Sequence, residues 1–580
     1  MVPRLALRDP GADQHEIGER AASLGIDPLA MRLLLARGVR ESEAQVRLLK
    51  PRLADLRSPV GMAGFEPLLE LLRAAVRQRW RVGVFGDYDV DGVTTAAILT
   101  TFLEALGVEV VPRVASRDAG YGFRVADARA LHEAGVRLVL TGDCGTSDHE
   151  ALAWLHDHGV VAAVIDHHQV PEQMPPAAAL LNPHQPGCAF PFKGLCSAGV
   201  AFYLCAALRT SLAAEAGDGG RALPDPRGLL DLVALGTVCD LVPMVDENRI
   251  LVRHGLGILE QRRRPGLRAL LDRAGVELDA TLDEGHLGFR LGPRLNAPGR
   301  LGPADPSLAL LRARTLPEAR AMAAQIEGLN SRRRGEQAQI VAQAHALLAA
   351  DPKTDERRGL VVAHDGWLHG IVGIAASSIV SRYHRPALVL AIDRARGEAR
   401  GSARSWGDID VRAALQASSH LLRRFGGHRA AAGVSMDVAA IPALTEAFDA
   451  AVADQLAARG LDMPSADEPY DGPLSLAALT PELLTSIESL GPYGVGFPAP
   501  RFLIEEAEVD FVRLLQGKHL SLALRQDGAL VDAIAFNQAE QPLSVGDRIA
   551  AIYVPTRSVF RGRWRLQLQI EAFWPARGGF

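Results

Sequence analysis

The segment Gly86-Asp87-Tyr88-Asp89-Val90-Asp91-Gly92 decides the fold of this 580-residue chain. It follows the apolar run 81–85 and precedes a pattern with helical spacing that starts near Val93. Gly92 permits the tight turn into that helix. An acidic residue before a helix is an ordinary N-cap, but three carboxylates at every second position exceed what capping requires. The segment therefore predicts a strand, loop and helix whose loop carries chemistry.

Other acidic residues also follow apolar runs. Asp143 comes shortly after the run 138–141, and Asp166-His167-His168 directly follows the run 160–165. Asp240 directly follows the stretch 236–239. The carboxyl ends of parallel strands meet in one crevice of a doubly wound sheet, so we expect these residues to converge. Carboxylates gathered that closely repel each other at neutral pH. The arrangement therefore predicts bound cations.

The tripeptide Asp166-His167-His168 is the most specific short motif in the chain. A single histidine at the end of a strand is more often a structural residue. Two in tandem after an aspartate predict one metal ligand and one residue directed at a substrate, with the carboxylate orienting an imidazole.

The bulk composition excludes little. A net charge of −5 and a pI near 6.4 lack the basic footprint usual in nucleic-acid-binding proteins. Most basic residues are arginines, which can bind phosphate with two donors, although genome composition explains that bias equally well. The five cysteines form no CxxC pair, which argues against a zinc ribbon or a disulfide framework. No apolar run reaches the roughly 18 residues of a membrane span, and the N-terminus lacks a signal-peptide core, so we expect a cytoplasmic protein without membrane association.

The order of patterns along the chain predicts several domains of an α/β protein. Strand and helix patterns alternate from about residue 80 to 260 and again from about 358 to 460, which indicates parallel sheets covered by helices. A long alanine-rich stretch between them predicts a connecting helix, and short strands after Pro464 suit a small β-barrel. The predicted segments are an N-terminal helical segment (1–60), a catalytic domain (61–315), the connecting helix (316–350), a second α/β domain (351–463) and the barrel (464–580).

These motifs, in this order, resemble the DHH phosphoesterase superfamily, named for its Asp-His-His triplet, and within it the RecJ family of single-stranded-DNA exonucleases. The resemblance covers nearly the whole chain, and further matching segments are 181–183, 197–202, 291–300 and 425–433. It implies a DHH parallel-sheet catalytic domain, the connecting helix, a DHHA1 α/β domain and a C-terminal OB-type β-barrel.

The resemblance also assigns a site for two metal ions. Its implied ligands, with Asp143 bridging the ions, are Asp87, Asp89, Asp143, His167 and Asp240. Oxygen ligands with one imidazole suit Mn²⁺ or Mg²⁺ better than Zn²⁺. Many superfamily members have a histidine four residues before the first aspartate, where this chain has Gly83. Asp91 is a candidate to replace it, and the predicted catalytic residues are His168, Asp166 and Asp91.

Substrate binding follows from the same resemblance. The residues that it assigns to the substrate are Arg117, Arg300, Ser402, Arg404, Gly426, Gly427 and His428. In the family an arginine directed at phosphate precedes the segment 120–122, but the spacing departs here, so Arg113 and Arg117 are both candidates and Arg117 is favoured. The Gly-Gly turn offers backbone N–H groups to a phosphate, although such a turn is as often purely structural.

The barrel resembles the oligonucleotide-binding domain of the family. Its aromatic and arginine side chains predict base stacking and backbone contacts, although alternating side chains also build ordinary barrel cores. The candidates are Tyr553, Arg557, Phe560, Arg561, Arg563 and Trp564.

The expected function is metal-dependent 5′→3′ hydrolysis of single-stranded DNA in DNA repair and recombination, by a monomer that uses two Mn²⁺ or Mg²⁺ ions. The 5′→3′ polarity is implied by the resemblance alone. Single-stranded DNA is the expected partner, and a single-strand-binding protein and a helicase are further candidates. Two alternatives stay open: a DHH phosphodiesterase of short oligonucleotides or cyclic dinucleotides, and a catalytically silent DNA-binding scaffold.

Overall fold

The computed structural model describes residues 4–117, 120, 122–216, 222–464, 467–560 and 563–576. The helices are α1 (Gln14–Leu24), α2 (Pro28–Ala36), α3 (Ser42–Leu49), α4 (Phe65–Arg77), α5 (Val90–Ala105), α6 (Val125–Glu133), α7 (His149–Asp157), α8 (Ser197–Ala216), α9 (Leu230–Cys239), α10 (Asp246–Glu260), α11 (Pro265–Arg273), α12 (Gly292–Leu301), α13 (Asp305–Arg312), α14 (Leu316–Ala350), α15 (His369–Tyr383), α16 (Val411–Ala417), α17 (Ile441–Ala457) and α18 (Pro481–Ser489). The strands are β1 (Leu5–Leu7), β2 (Arg81–Gly86), β3 (Glu109–Val114), β4 (Leu138–Gly142), β5 (Val161–Ile165), β6 (Ala179–Leu181), β7 (Leu360–Asp365), β8 (Ala387–Asp393), β9 (Glu398–Arg404), β10 (Arg424–Gly427), β11 (Ala431–Asp437), β12 (Glu468–Tyr470), β13 (Phe502–Leu515), β14 (His519–Gln526), β15 (Ala529–Ala535), β16 (Arg548–Phe560) and β17 (Arg563–Pro575).

The chain divides into two compact units. One contains residues 58–240 and 254–466, and the other contains residues 1–57, 241–253 and 467–580. The first unit holds the two α/β domains, and the second holds the barrel.

The N-terminal sheet has the strand order β3-β2-β4-β5-β6, and all of its neighbouring strands are parallel. The strands predicted at the three motif positions are confirmed as β2, β4 and β5. Gly86 pairs with Gly142, and Gly142 pairs with Ile165, so the three strands end at the same level. The residues that follow these ends are therefore delivered to one edge of the sheet, as the sequence predicted.

Helix α8 differs from the expectation that the chain has no segment long and apolar enough to cross a membrane. Over Ser197–Glu215 its mean hydropathy is 1.3, and 61% of that window is buried inside the protein. Buried core helices share the length and composition of a membrane span, and α8 packs against α5 and α9. These properties are therefore weak evidence for a membrane span.

The second α/β domain follows the connecting helix α14, whose bounds match the prediction closely. Its sheet has the order β10-β11-β9-β8-β7, in which the β7–β8 pair is parallel and the others are antiparallel. Helices α12, α14 and α15 pack against one another. The end of the catalytic domain, the connecting helix and the first helix of the second domain thereby share one contact region.

The barrel is closed in the order β13-β14-β15-β17-β16. The predicted N-terminal helical segment contains α1, α2 and α3, and it belongs to the barrel unit. Leu33 and Leu34 of α2 are buried in the same apolar core as Phe502. Arg37 binds the two carboxylate oxygens of the buried Asp471 at 2.9 and 3.2 Å. Strand β1 also pairs with β12.

Candidate functional site

The loop after β2 begins with Asp87, which is 1% exposed. Asp89 is the N-cap of α5, and its Oδ1 accepts the N–H of Gly92 at 3.1 Å. The reading of this segment as a helix cap is therefore correct for one of its three aspartates. Asp87 and Asp91 do not cap this helix.

Asp91 lies beneath the site and binds the start of α8. Its Oδ2 accepts the N–H of Ser197 at 2.7 Å, and its Oδ1 accepts the N–H of Ala198 at 3.0 Å. The hydroxyl of Ser197 in turn donates to Oδ1 of Asp143 at 3.2 Å. This geometry favours a positioning role for Asp91 over the predicted catalytic one.

A side chain at Gly83 would meet Leu131 at 3.0 Å in the apolar core, so no ligand could act from that position.

Asp143 follows β4 in a left-handed backbone conformation with φ of 64°. Aspartate tolerates this conformation better than most residues other than glycine, and non-glycine residues with a positive φ are concentrated at functional sites. Its N–H donates to the carbonyl of Ile165 at 3.0 Å, which holds the residue against the end of β5. The side chain is 2% exposed and directed into the acidic cluster.

The hydrogen bonds of Asp166 differ between the two histidines. Oδ1 of Asp166 lies 2.8 Å from Nδ1 of His168 and accepts the N–H of His167 at 2.7 Å. The carboxylate therefore orients the second imidazole, as the sequence pattern predicted. Asn182 supports the same turn, because its side-chain amide donates to the carbonyl of His168 at 2.8 Å.

The first imidazole is directed into the acidic cluster. Nε2 of His167 lies 3.3 Å from Oδ1 of Asp143 and 3.4 Å from Oδ2 of Asp240. Among the described residues, three groups bring their candidate ligand atoms within 4.8 Å of one another: Asp87, Asp89 and Asp143; Asp91, His167 and Asp240; and Asp143, Asp166, His167 and His168. Asp143 and His167 each belong to two of these groups. Among the carboxylates in the three groups, Asp143 alone does so, and a carboxylate in that position could be shared by two ions.

Two buried atoms show that the cluster fits a cation. Nε2 of His167 and Oδ1 of Asp87 are inaccessible to solvent and make no hydrogen bond within the described part of the chain. Buried polar atoms without partners are costly, and a metal ion would satisfy both. The donors are one imidazole and several carboxylates, which suit Mn²⁺ or Mg²⁺.

Burial and mutual repulsion raise the pKa values of the carboxylates in the cluster. Burial, followed by the charges of the neighbouring carboxylates, raises the pKa of Asp87 and Asp143 well above the usual range. The same two effects raise the pKa of Asp240 to about 9. Burial opposes the charge of His168, but the hydrogen bond that Nδ1 of His168 donates to Asp166 raises its pKa to about 9. An assembly of carboxylates that resists ionisation this strongly is one that a divalent cation stabilises.

Arginines converge beside this cluster. Nε of Arg117 donates to the carbonyl of Gly299 at 3.0 Å, and Nη1 of Arg300 donates to the carbonyl of Gly370 at 3.1 Å. Burial, followed by the charge of Arg117 and two other arginines, lowers the pKa of Arg300 to about 9. Among the described residues, no carboxylate lies within 4.0 Å of the guanidinium groups of Arg117, Arg300 or Arg404. Partly buried guanidinium groups without a carboxylate in direct contact form a site for an anion such as phosphate.

Ser402 and Arg404 reach this region from β9. Nη1 of Arg404 donates to the carbonyl of Ala403 at 2.8 Å. A Cβ at Gly373 would lie 2.9 Å from Nη2 of Arg404 and 3.2 Å from Oγ of Ser402, so both side chains pack on the first turns of α15. Backbone N–H groups at the start of a helix favour negative charge, which adds to the attraction of the arginines for phosphate.

Arg333 of the connecting helix is a site residue that the sequence reasoning missed. It is 9% exposed, and its Nη atoms donate to the side-chain oxygens of Asn330 and Gln337 at 2.6 and 2.9 Å. Its charge contributes to the lowered pKa of Arg300. The neutral amides orient the cation without neutralising it. The spacing 330, 333 and 337 on one helical face was the signal that could have revealed it.

The other predicted phosphate ligands lie farther out on the second sheet. Gly426 pairs with Gly433, which pairs with Ser402, so Gly426 is two strands away from Ser402 at the exposed edge strand β10. The N–H of His428 donates to the carbonyl of Ala431 at 2.8 Å and closes the hairpin that also contains Gly427. This geometry supports the structural reading of the turn. Their role in substrate binding stays a prediction.

Arg113 and Arg117, the two candidates for the phosphate-directed arginine, differ in burial and in location. Arg113 is exposed on the edge strand β3, and Arg117 is partly buried beside Gly299. The geometry therefore favours Arg117 as the phosphate-directed residue. Tyr121, from the adjacent segment 120–122, lies outside the described residues.

Comparisons with known proteins agree with this geometry in every domain. Residues 81–237 match the N-terminal domain of the DHH family, residues 357–454 match the DHHA1 domain, and residues 470–572 match the RecJ OB domain. The chain is 34% identical to the single-stranded-DNA-specific exonuclease RecJ of Escherichia coli, over 95% of this chain and 96% of that protein. The chain belongs to the RecJ family.

Other members and solved structures of the RecJ family support the assignment. The RecJ of Bacillus subtilis is 32% identical, over 96% of this chain and 69% of that protein. The crystal structure of RecJ in complex with Mn²⁺ from Thermus thermophilus superposes with a TM-score of 0.80 at 31% identity, covering 99% of this chain and 79% of that one. A Mg²⁺ complex from the same organism superposes with a TM-score of 0.74 at 29% identity, covering 98% and 78%. One of these solved structures thus contains Mn²⁺ and the other contains Mg²⁺, the two kinds of metal that the donor set favours here.

The RecJ OB domain presents fewer of the predicted DNA contacts than expected. The prediction for Tyr553 is wrong, because its side chain is fully buried and its hydroxyl donates to the carbonyl of Leu474 at 2.9 Å. Trp564 is 44% exposed, and Cζ of Arg557 lies 4.5 Å from the centre of its ring. Arg557 also binds Glu488 at 2.8 Å. Arg561 lies outside the described residues, as do the side chains of Phe560 and Arg563.

Proposed function

We propose that this chain hydrolyses the phosphodiester bonds of single-stranded DNA from the 5′ end, with two Mn²⁺ or Mg²⁺ ions. One observation carries the proposal. Arg117 contacts the ring of Tyr88, which is the residue between Asp87 and Asp89. The arginines therefore adjoin the carboxylate cluster, so a strand whose terminal phosphate lies on the arginines would have a nearby phosphodiester at the carboxylates.

The residues of the cluster have two roles, metal binding and contact with the phosphate. When bound, two divalent cations supply Lewis-acid stabilisation of a phosphodiester and lower the pKa of an attacking water. The residues suited to hold them are Asp87, Asp89, Asp143, His167 and Asp240. His168, protonated through its hydrogen bond with Asp166, is suited to donate to a phosphate oxygen on which negative charge develops.

The arginine pocket supports hydrolysis from an end rather than within a strand. A terminal phosphate monoester carries more negative charge than an internal phosphodiester, so a pocket of partly buried arginines favours it. The side chains of Arg117, Arg300 and Arg404 can donate to such a group from the catalytic domain and from the DHHA1 domain. The 5′ polarity of this end rests on the resemblance to the RecJ family.

Both alternatives are less well supported. A phosphodiesterase of dinucleotides would not require the closed barrel that follows the DHHA1 domain. A catalytically silent scaffold would not require a buried cluster in which Nε2 of His167 and Oδ1 of Asp87 lack hydrogen bonds among the described residues. Both features fit an enzyme that captures a long strand.

The test compares hydrolysis of a dinucleotide with that of a long single strand carrying a 5′-phosphate, both with Mn²⁺. We expect much the higher kcat/KM for the long strand and no cutting of a fully paired duplex. Faster hydrolysis of the dinucleotide would favour the phosphodiesterase, and no hydrolysis of either substrate would favour the scaffold.

The cellular setting is part of the same proposal. We place the protein in the cytoplasm, in DNA repair and recombination, as a monomer that acts on single strands with a single-strand-binding protein and a helicase as candidate partners. A molar mass of 62.0 kDa for the purified chain, measured by light scattering, would support the monomer. A mass of twice that value would contradict it.

A further inference from the structure

Tyr88 makes the contact that joins the arginines to the metal-binding loop. The guanidinium carbon of Arg117 lies 4.0 Å from the centre of the Tyr88 ring, which is a close cation–π contact. The residues on either side of Tyr88 are Asp87 and Asp89, both candidate metal ligands.

The backbone of Tyr88 is also fixed against the helix that carries Arg300. A Cβ at Gly299 would lie 2.7 Å from the carbonyl oxygen of Tyr88, so only glycine permits this approach. The carbonyl of Gly299 accepts Nε of Arg117 at 3.0 Å. Arg117 is therefore held on one side by the Tyr88 ring and on another by the residue that the Tyr88 backbone contacts.

The same contacts continue into the DHHA1 domain. Arg300, which follows Gly299, donates to the carbonyl of Gly370 at the start of α15. Gly370 also lies against Arg117, because a Cβ there would be 3.3 Å from Cδ of that arginine. The metal-binding loop, the arginine pocket and the DHHA1 domain thus meet at Tyr88 and its neighbours.

We propose that Tyr88 is a positioning residue that fixes Arg117 relative to Asp87 and Asp89. It would thereby set the distance between the bound terminal phosphate and the bond that is cut, and hence the length of the product released. This inference rests on the proposed function. It adds that preference for the terminal phosphate and uniformity of product length both depend on one aromatic ring.

Two substitutions separate the ring from the hydroxyl. Tyr88→Phe keeps the ring face over Arg117 and should retain wild-type behaviour. Tyr88→Leu removes the ring, so Arg117 gains freedom and loses a contact that contributes roughly three- to thirty-fold in affinity. We expect Tyr88→Leu to lower the preference for a 5′-phosphate over a 5′-hydroxyl by about that factor and to release products of mixed length.

The first measurement needs no metal. Affinities of labelled oligonucleotides with 5′-phosphate and 5′-hydroxyl ends are measured in EDTA by fluorescence anisotropy, and the ratio of the two dissociation constants is compared between variants. The second measurement is the length distribution of the first products formed with Mn²⁺. A purely structural defect would weaken both oligonucleotides equally and leave the ratio unchanged.

A matched control removes a similar contact elsewhere in the catalytic domain. Trp80→Leu deletes a ring whose centre lies 4.3 Å from Cζ of Arg137, just before the opposite end of β2. It should leave both the ratio and the product length unchanged. If Tyr88→Leu does not fold, Tyr88→Met serves as the variant without a ring.

The outcomes distinguish the inference from the proposed function. A wild-type ratio and uniform products in a folded variant without the ring would overturn the inference, as would equal defects in Tyr88→Phe. Wild-type protein that fails to cut single-stranded DNA would overturn the proposed function instead, and the affinity ratio in EDTA would still test the contact between Tyr88 and Arg117.

Discussion

Asp91 binds the first amides of α8, with its Oδ2 2.7 Å from the backbone nitrogen of Ser197. The hydroxyl of Ser197 donates to Asp143, so the third aspartate of the first motif acts on the centre of the acidic cluster through a second residue. The three aspartates thus differ in role: Asp87 is a buried candidate ligand, Asp89 is a candidate ligand that also caps α5, and Asp91 fixes the start of α8.

Asp91→Asn should destabilise the metal-free protein. Its amide nitrogen cannot accept an N–H, so one buried donor at the start of α8 loses its partner, at a cost of about 1–3 kcal/mol. Asp87→Asn is the matched control, because Oδ1 of Asp87 has no hydrogen bond and its charge is repelled by Asp89. Calorimetry in EDTA should show a lower melting temperature for Asp91→Asn only. Equal lowering in both variants would contradict the division of roles.

His168→Ala and His167→Ala should have opposite effects. His168 is oriented by Asp166, and its loss should lower kcat by roughly 10²- to 10³-fold while Mn²⁺ affinity changes little. His167 faces Asp143 and Asp240, so its loss should mainly weaken Mn²⁺ binding. Titration calorimetry and single-turnover kinetics measure the two quantities. Equal loss of Mn²⁺ affinity in both variants would show that both histidines are ligands.

The metal cluster could be predicted from sequence because parallel strands deliver their ends to one edge. Asp87, Asp143 and Asp166 each follow a buried strand directly, so the topology alone brings them together. The role of Asp91 could not be predicted in this way. It depends on the start of α8, more than a hundred residues later, and local spacing does not show which distant amide a carboxylate accepts.

Arg404→Ala should raise KM for strands with a 5′-phosphate and affect 5′-hydroxyl strands less. A hydrogen bond from a charged donor contributes on the order of 1.5–3 kcal/mol, which is roughly ten- to a hundred-fold in affinity. Arg113→Ala is the control, since this exposed arginine lies on the edge strand β3. Steady-state kinetics with both end chemistries measure the effect. An equally small change for both ends in Arg404→Ala would remove this residue from the phosphate pocket.

Asp471→Ala should destabilise the barrel unit. The carboxylate is 2% exposed and binds Arg37 and Arg8, so its removal leaves buried cations unpaired and costs about 3–5 kcal/mol. Asp467→Ala breaks an exposed pair with Arg4 and should change stability by less than about 0.5 kcal/mol. Denaturant unfolding followed by a probe in the barrel compares the two. Similar stability of both variants would show that the buried network contributes little.

The barrel shows where sequence patterns fail. Short alternating strands after Pro464 predicted the barrel, but Tyr553 was assigned to DNA although it is buried in the core. Alternation identifies a strand without showing which of its faces is inside. The N-terminal segment was separated from the barrel because nothing local in residues 1–60 reveals that Leu33 packs with Phe502. Deleting residues 464–580 would therefore expose that core, and point variants such as Trp564→Ala test DNA contacts more cleanly.

The most direct test of the account follows 5′-labelled single-stranded DNA through digestion by wild-type protein and Asp143→Asn, with Mn²⁺ and with Mn²⁺ plus excess chelator. Asp143 belongs to two of the three ligand groups, and its amide would lose the charge that two ions share. We predict rapid release of short labelled products by wild-type protein with Mn²⁺, none with chelator, and none by a folded Asp143→Asn. Release of the same products in chelator, or by Asp143→Asn at the wild-type rate, would contradict the two-metal account.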